Sequence, residues 1–163
     1  MRPRHRSRHR RRAGHAPLRQ HRHPGAGVNI VAYTARKIPF VGTPETNPET
    51  KAFFDGAASG KLMIRRCTSC RKAHWYPRAL CPFCFGECEW EQASGKGKVY
   101  TYSVMERANP PYAIGYVTLA EGPSVLTNFV EMDFKDLKIG QDMKVTFIKT
   151  EGDGPTLPFF TPA

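Results

Sequence analysis

The chain has 163 residues, 40% of them apolar and 11% aromatic, and a formal net charge of +11. That length suits one domain or two very small ones, and no apolar run approaches the roughly 20 residues that a membrane-spanning helix needs. The charge suggests a nucleic-acid partner only until it is located along the chain.

Residues 1–36 hold ten arginines, five of the six histidines and no acid. Residues 37–163 carry fifteen basic and fourteen acidic side chains, a net of +1. An Arg/His run of this kind cannot bury apolar surface and is expected to be a disordered tail. It lacks the apolar centre of a signal peptide and the serine-rich amphipathic character of a transit peptide. A misplaced start codon is the favoured reading, ahead of an inert tail or a basic nucleic-acid arm. With no secretory signal, a cytoplasmic location is expected.

Residues 37–60 read as a linker and a short helix. The stretch 37–47 is rich in Pro and Thr and should be extended. Asn47 as N-cap, Pro48 at the first helical position and Glu49 in the first turn start a helix over about 48–59. Phe53, Phe54, Ala57 and Ala58 form its apolar stripe, Gly56 weakens it, and Gly60 ends it.

Residues 61–93 contain all five cysteines. A brief strand over 62–66 leads into Cys67, and a second covers 89–91. Cys67 and Cys70, then Cys81 and Cys84, make two Cys-x-x-Cys pairs separated by ten residues. Without a secretory signal, such spacing reads as metal ligands rather than disulfides. Two pairs converging on one point form a closed tetrahedral four-thiolate site, which holds a fold together and leaves no open position for catalysis. Zinc is the expected ion; the same soft donors accept iron, as in an electron-transfer rubredoxin. Trp75, Tyr76, Pro77 and Leu80 are available to cover the site. Cys88 falls outside the spacing and reads as a spare thiol, His74 as a solvated or capping histidine. Glu87, Glu89 and Glu91 read as one solvated strand face.

From Gly95 to Gly97 a turn is expected, and residues 94–163 then alternate with period two. Val99, Thr101, Ser103 and Met105 should face one way, and Tyr100, Tyr102 and Val104 the other. Further strands are expected over 113–119, broken by Gly115, over 124–130 and over 143–149. Several short strands with turns at this spacing indicate a small all-β barrel or sandwich. Leu157 to Phe160 should fold back onto it. No nucleophile elbow, phosphate loop or dinucleotide fingerprint is present, and His74 is the only histidine beyond the tail.

One series of short strings runs through nearly all of 48–162. It comprises Phe53-Phe54, Gly60 with Leu62, 66–70 (RCTSC), 76–78 (YPR), 81–84 (CPFC), Trp90, 94–102 (SGKGKVYTY), Pro111-Tyr112, 117–122 (VTLAEG), 137–140 (LKIG) and 157–160 (LPFF). Their order and spacing resemble the rubredoxin-like zinc-ribbon and OB-fold proteins that accompany acyl-CoA thiolases. The chain departs from that pattern at Arg71, where the family usually has Gly, and at Tyr76, where it commonly has Pro. The resemblance implies a mainly β protein: a short N-terminal helix, a zinc ribbon and a C-terminal OB-fold barrel. It also implies a non-catalytic partner of thiolase-fold enzymes (condensing, thiolytic or retro-aldol) that helps hold an acyl-CoA in a hetero-oligomer.

In that setting Arg78, Lys96, Lys98 and Arg107 are candidates to meet the phosphates of CoA. Tyr102 and Tyr112, with Tyr100 and Tyr116, are candidates for apolar and hydroxyl contacts. The alternative from a different class is a nucleic-acid-binding module. The near-neutral body over 37–163 lacks the electrostatic footprint this requires.

Overall fold

In the computed structural model, residues 48–163 are described. The expected disorder of 1–36, the extended stretch 37–47 and the Asn47 cap lie outside them. Helix α1 (Pro48–Ala58) buries Phe53 and Ala57. It ends where the sequence indicates: the Gly60 N–H donates to the Ala57 carbonyl (3.1 Å) and the Lys61 N–H to the Gly56 carbonyl (2.8 Å). This pair of bonds is a Schellman motif, and it needs the left-handed backbone that Gly60 supplies at φ 71°.

The chain next forms a three-stranded antiparallel sheet from β1 (Met63–Cys67), β2 (Ala73–His74) and β3 (Cys88–Gln92), in the order β2-β1-β3. It then enters a closed barrel of β4 (Lys96–Met105), β5 (Tyr112–Leu119), β6 (Ser124–Phe129), β7 (Asp142–Lys149) and β8 (Thr156–Pro162), in the order β4-β5-β6-β8-β7. Every barrel pairing is antiparallel except β6 with β8, which meet in parallel at Phe129 and Phe160. Five strands closed in this order form an OB fold. Among the described residues, no helix is long and apolar enough to cross a membrane.

Ribbon and barrel share one core. Phe53 of the helix and Leu62 and Ile64 of the ribbon belong to the same buried cluster as Val99, Val117, Phe129 and Phe160 of the barrel. The chain leaving β3 is tied back to the residue before β1 by the Ala93 N–H on the Leu62 carbonyl at 2.8 Å. Leu137, in the loop between β6 and β7, is 2% exposed and packs into the same cluster.

Three expectations are corrected. The turn is at Gly95 alone (φ 73°), and Lys96 and Gly97 already belong to β4. The expected alternation breaks at a bulge between Val99 and Thr101. Val99 faces Val117 inside the barrel, but beyond the bulge Tyr102 and Val104 are the residues opposite the buried Gly115 and Ala113. One extra residue moves every later side chain to the other face. Gly115 does not break β5. It lets β4 approach closely: a Cβ there would collide with the Thr101 carbonyl and lie 2.7 Å from Tyr102 Cα and 2.9 Å from the Phe129 ring. Gly115→Ala should therefore lower stability by about 1–3 kcal/mol, read as a lower denaturant midpoint.

Candidate metal centre

Each Cys-x-x-Cys pair occupies a tight loop. The Arg71 N–H donates to the Cys67 carbonyl (3.1 Å) and the Phe85 N–H to the Cys81 carbonyl (2.9 Å). Both loops turn left-handed one residue past the second cysteine, with φ 60° at Arg71 and 59° at Phe85. A main-chain N–H also points at the first sulfur of each: Cys70 N–H to Cys67 Sγ and Phe83 N–H to Cys81 Sγ, both at 3.4 Å.

The loops face each other so that all four Sγ atoms lie within 4.8 Å of one another. Cys67 and Cys84 are 3.5 Å apart, and Cys70 and Cys81 3.7 Å. Metal–sulfur bonds of about 2.3 Å in a tetrahedron separate the sulfurs by roughly 3.8 Å, so the cage fits one ion. The Cys70 N–H is the main cause that brings the Cys67 thiol down to about 6, against its burial. Burial pushes Cys81 up, but the Phe83 and Cys84 N–H groups and adjacent sulfurs outweigh it, and its net shift is downward. Cys84 moves the other way, to about 12; the Gly86 N–H lowers it, but the sulfurs of Cys67, Cys70 and Cys81 prevail. Four thiolates this close coexist only around a cation. The donor set is soft and complete, so the site is structural.

Arg66 braces the cage from β1. It makes a two-pronged bridge to Glu91 (Nη2 to Oε1 3.0 Å), and its Nη1 donates to the Arg71 carbonyl at 2.7 Å. The hydrogen bond from Arg66 holds the Glu91 carboxyl below its ordinary range. That contribution to stability is present above the ordinary glutamate pKa and is lost as pH falls through the lowered folded value. Glu89 lies 3.7 Å from Arg71, so two of the three glutamates are ion-paired rather than simply solvated.

His74 is corrected too. It is 3% exposed, because pairing of β2 with β1 turns it inward. Burial lowers its pKa, so it is neutral near pH 7. Nδ1–H donates to the Tyr76 carbonyl (3.2 Å), which leaves Nε2 to accept from Cys88 Sγ at 3.4 Å. Cys88 stays outside the cage, as the register partner of Cys67. Trp75 packs on Phe53, with ring centroids 4.7 Å apart, and Pro77 is buried, whereas Tyr76 and Leu80 are about half exposed.

The six residues singled out for acyl-CoA contact are spread over four places. Arg78 lies beside Arg65 and Trp90 on the ribbon, in a cleft of about 230 Å³. Lys96 and Lys98 line a cleft of about 650 Å³ at the start of β4. Arg107 and Tyr112 line one of about 540 Å³ at the hairpin beyond its other end. At about 3.3 Å per residue, β4 separates the last two by roughly 30 Å. Tyr102 lies between them, opposite Gly115. Two residues escaped the sequence reading. Lys144 faces Lys96 across the seam between β4 and β7. Glu121 accepts the Ser94 N–H at 2.7 Å, tying the β5–β6 turn to the ribbon–barrel junction. Only strand register could have revealed Lys144, whereas Glu121 lies within the 117–122 string.

The architecture and its cage define a zinc-ribbon and OB-fold protein. Residues 54–91 match the family described as the ChsH2 rubredoxin-like zinc ribbon domain, and 90–147 match the ChsH2 C-terminal OB-fold domain. The chain is 35% identical over 104 residues to a DUF35 domain-containing scaffold protein of Methanocaldococcus jannaschii, covering 58% of this chain and 74% of that one. It belongs to the DUF35 (ChsH2) family. It is also 31% identical over 127 residues to a protein of Thermomonospora curvata named probable enoyl-CoA hydratase alpha subunit, covering 74% of this chain. Here the chain spans about two-fifths of the relative's length, 39%. A solved structure described as an Ltp2-ChsH2(DUF35) aldolase matches with a TM-score of 0.64 and 28% identity, over 74% of this chain and 98% of that one.

Cys67→Ser and Cys81→Ser should each lose the bound metal, with loss of ribbon structure, as measured by metal analysis and circular dichroism. Arg71→Gly should stabilise the metal-loaded protein by about 1 kcal/mol by relieving the left-handed backbone, measured by chemical denaturation. Its ion pair with Glu89 is exposed and contributes little.

Proposed function

We propose that the protein is a non-catalytic accessory subunit of a thiolase-like enzyme. In this reading it carries one structural zinc ion on Cys67, Cys70, Cys81 and Cys84, and supplies part of an acyl-CoA site. The observation that carries the reading is a pair of exposed apolar surfaces among the otherwise well-packed described residues. At the ribbon tip, Leu80, Phe83 and Phe85 stand out, Phe85 at 78% exposure. On the barrel, Tyr100, Tyr116 and Leu126 are exposed, the last two as register partners. Surfaces of this kind belong against a partner, and a chain that carries them alone tends to aggregate.

The enzyme partner would supply the nucleophile and bases. The one described histidine, His74, supports this division of labour, because both its ring nitrogens are engaged. The likeness to a scaffold protein and to a chain of an Ltp2-ChsH2(DUF35) aldolase structure supports it as well.

The test is recovery of the full chain from its native cell extract. A thiolase-fold protein in fixed ratio, with about one zinc per chain, is the expected result. Nucleic acid without an enzyme would sink the reading. Replacing Phe83 and Phe85 with Ser should reduce recovery of the enzyme at least tenfold, in the range of interface hot spots, with zinc content unchanged.

A further inference from the structure

The seam that closes the barrel sets two like charges against each other. Lys96 of β4 and Lys144 of β7 are register partners, so their side chains share one face of the ladder. Like charges directly opposite destabilise a strand pair. The next outward pair along the seam is different: Lys98 faces Asp142, and the two are bound at 2.6 Å. Among the described residues neither Lys96 nor Lys144 has an ion-pair partner, and both are exposed.

The two lysines line the cleft of about 650 Å³, with Gly97, Leu119, Ala120 and Met143. Thr118, the register partner of Lys98, adds a hydroxyl on the same face, hydrogen-bonded to Ser124 at 2.8 Å. The acidic side chain of the cleft, Asp142, is already taken by Lys98. Ala163 also lines it, its N–H donating to the Asp142 carbonyl at 3.2 Å.

The seam has three register pairs, flanked by backbone bonds from the Val145 N–H to the Gly95 carbonyl (2.7 Å) and between Val99 and the 140–141 turn (2.8 and 3.0 Å), and a repulsive pair within it weakens it locally. A phosphate dianion between the two ammonium groups reverses the sign of that interaction. Apolar lining for a base or sugar, two ammonium groups with no ion pair among the described residues and a hydroxyl alongside suit a nucleotide phosphate.

We propose that this cleft takes the phosphorylated nucleotide end of an acyl-CoA, with Lys96 and Lys144 sharing its phosphate oxygens. The proposal rests on the acyl-CoA reading above and narrows it. Lys98 is held by Asp142, and Arg107 and Tyr112 lie at the far end of β4. Lys144 is the added residue.

Calorimetric titration of the full chain with CoA and with adenosine 3′,5′-bisphosphate tests it, using wild type, Lys96→Gln, Lys144→Gln and Lys135→Gln. The last removes the same charge from an exposed loop position elsewhere. Each seam variant should weaken both ligands by about tenfold, the scale of one charge-assisted hydrogen bond, and Lys135→Gln should not. Without ligand, Lys144→Gln should raise the melting midpoint by about 1–3 °C, because it removes a repulsion; a lowered midpoint counts against the proposal. CoA that binds wild type and seam variants equally overturns the seam assignment and leaves the acyl-CoA reading intact. Bisphosphate binding that the seam variants abolish, with no binding of CoA, overturns the assignment to CoA in favour of a free nucleotide. No binding of either ligand, with the partner enzyme present or absent, overturns both.

Discussion

The convergence of four sulfurs on one point is the constraint on which the ribbon depends. Its sheet has two strands of five residues and one of two, too little to order the connections 68–72 and 75–87 by backbone pairing alone. Those loops fold because their cysteines must meet, and main-chain N–H groups pre-aim the sulfurs. The left-handed residues at Arg71 and Phe85 are the conformational cost of bringing the chain round twice. At Arg71 the cost is offset locally, since Arg66 grips the strained residue's carbonyl while bound to Glu91.

The ribbon in turn completes the barrel. Phe53, Leu62 and Ile64 lie in the same apolar cluster as the barrel strands, and Glu121 reaches back from the β5–β6 turn to the first residues after β3. The two halves are therefore one cooperative body, and loss of the metal removes packing from both. The outer face of the barrel and the tip of the ribbon lie outside this shared core and carry the exposed aromatic residues.

Local features were legible in the sequence. Cysteine spacing, the Pro48 start and Gly60 stop of the helix, and the alternation around Val125 and Met143 each act over a few residues. Features that depend on distant partners were not. Strand β2 has two residues and exists only because β1 passes beside it. Strand β8 holds Pro158 and Pro162, which lower its strand signal; it meets β6 at a single register pair, so missing N–H groups matter little on that edge. The bulge near Tyr100 inverted the expected faces of β4. Gly115 has the composition of a break but serves as a close approach. His74 looked like a surface residue because nothing in its neighbours reveals the turn that buries it. The candidate site divides the same way: the metal cage could be read from spacing alone, whereas the Lys96–Lys144 pair depends on a register that sequence does not carry.

The position of β8 in the barrel bears on how the molecule is made. The barrel strand latest in chain order, β8, is inserted between two earlier ones, β6 and β7, so no length of nascent chain that stops short of it can close the barrel. Until then β6 and β7 expose open edges, the condition in which nascent β proteins mispair. The ribbon's four ligands, in contrast, are all in the chain by the time Gln92 is added, although the barrel half of the shared core is not. The order of synthesis thus places the four metal ligands and the apolar side chains of Leu62 and Ile64 first, as a surface against which the later strands can collect while they wait for the segment that locks them.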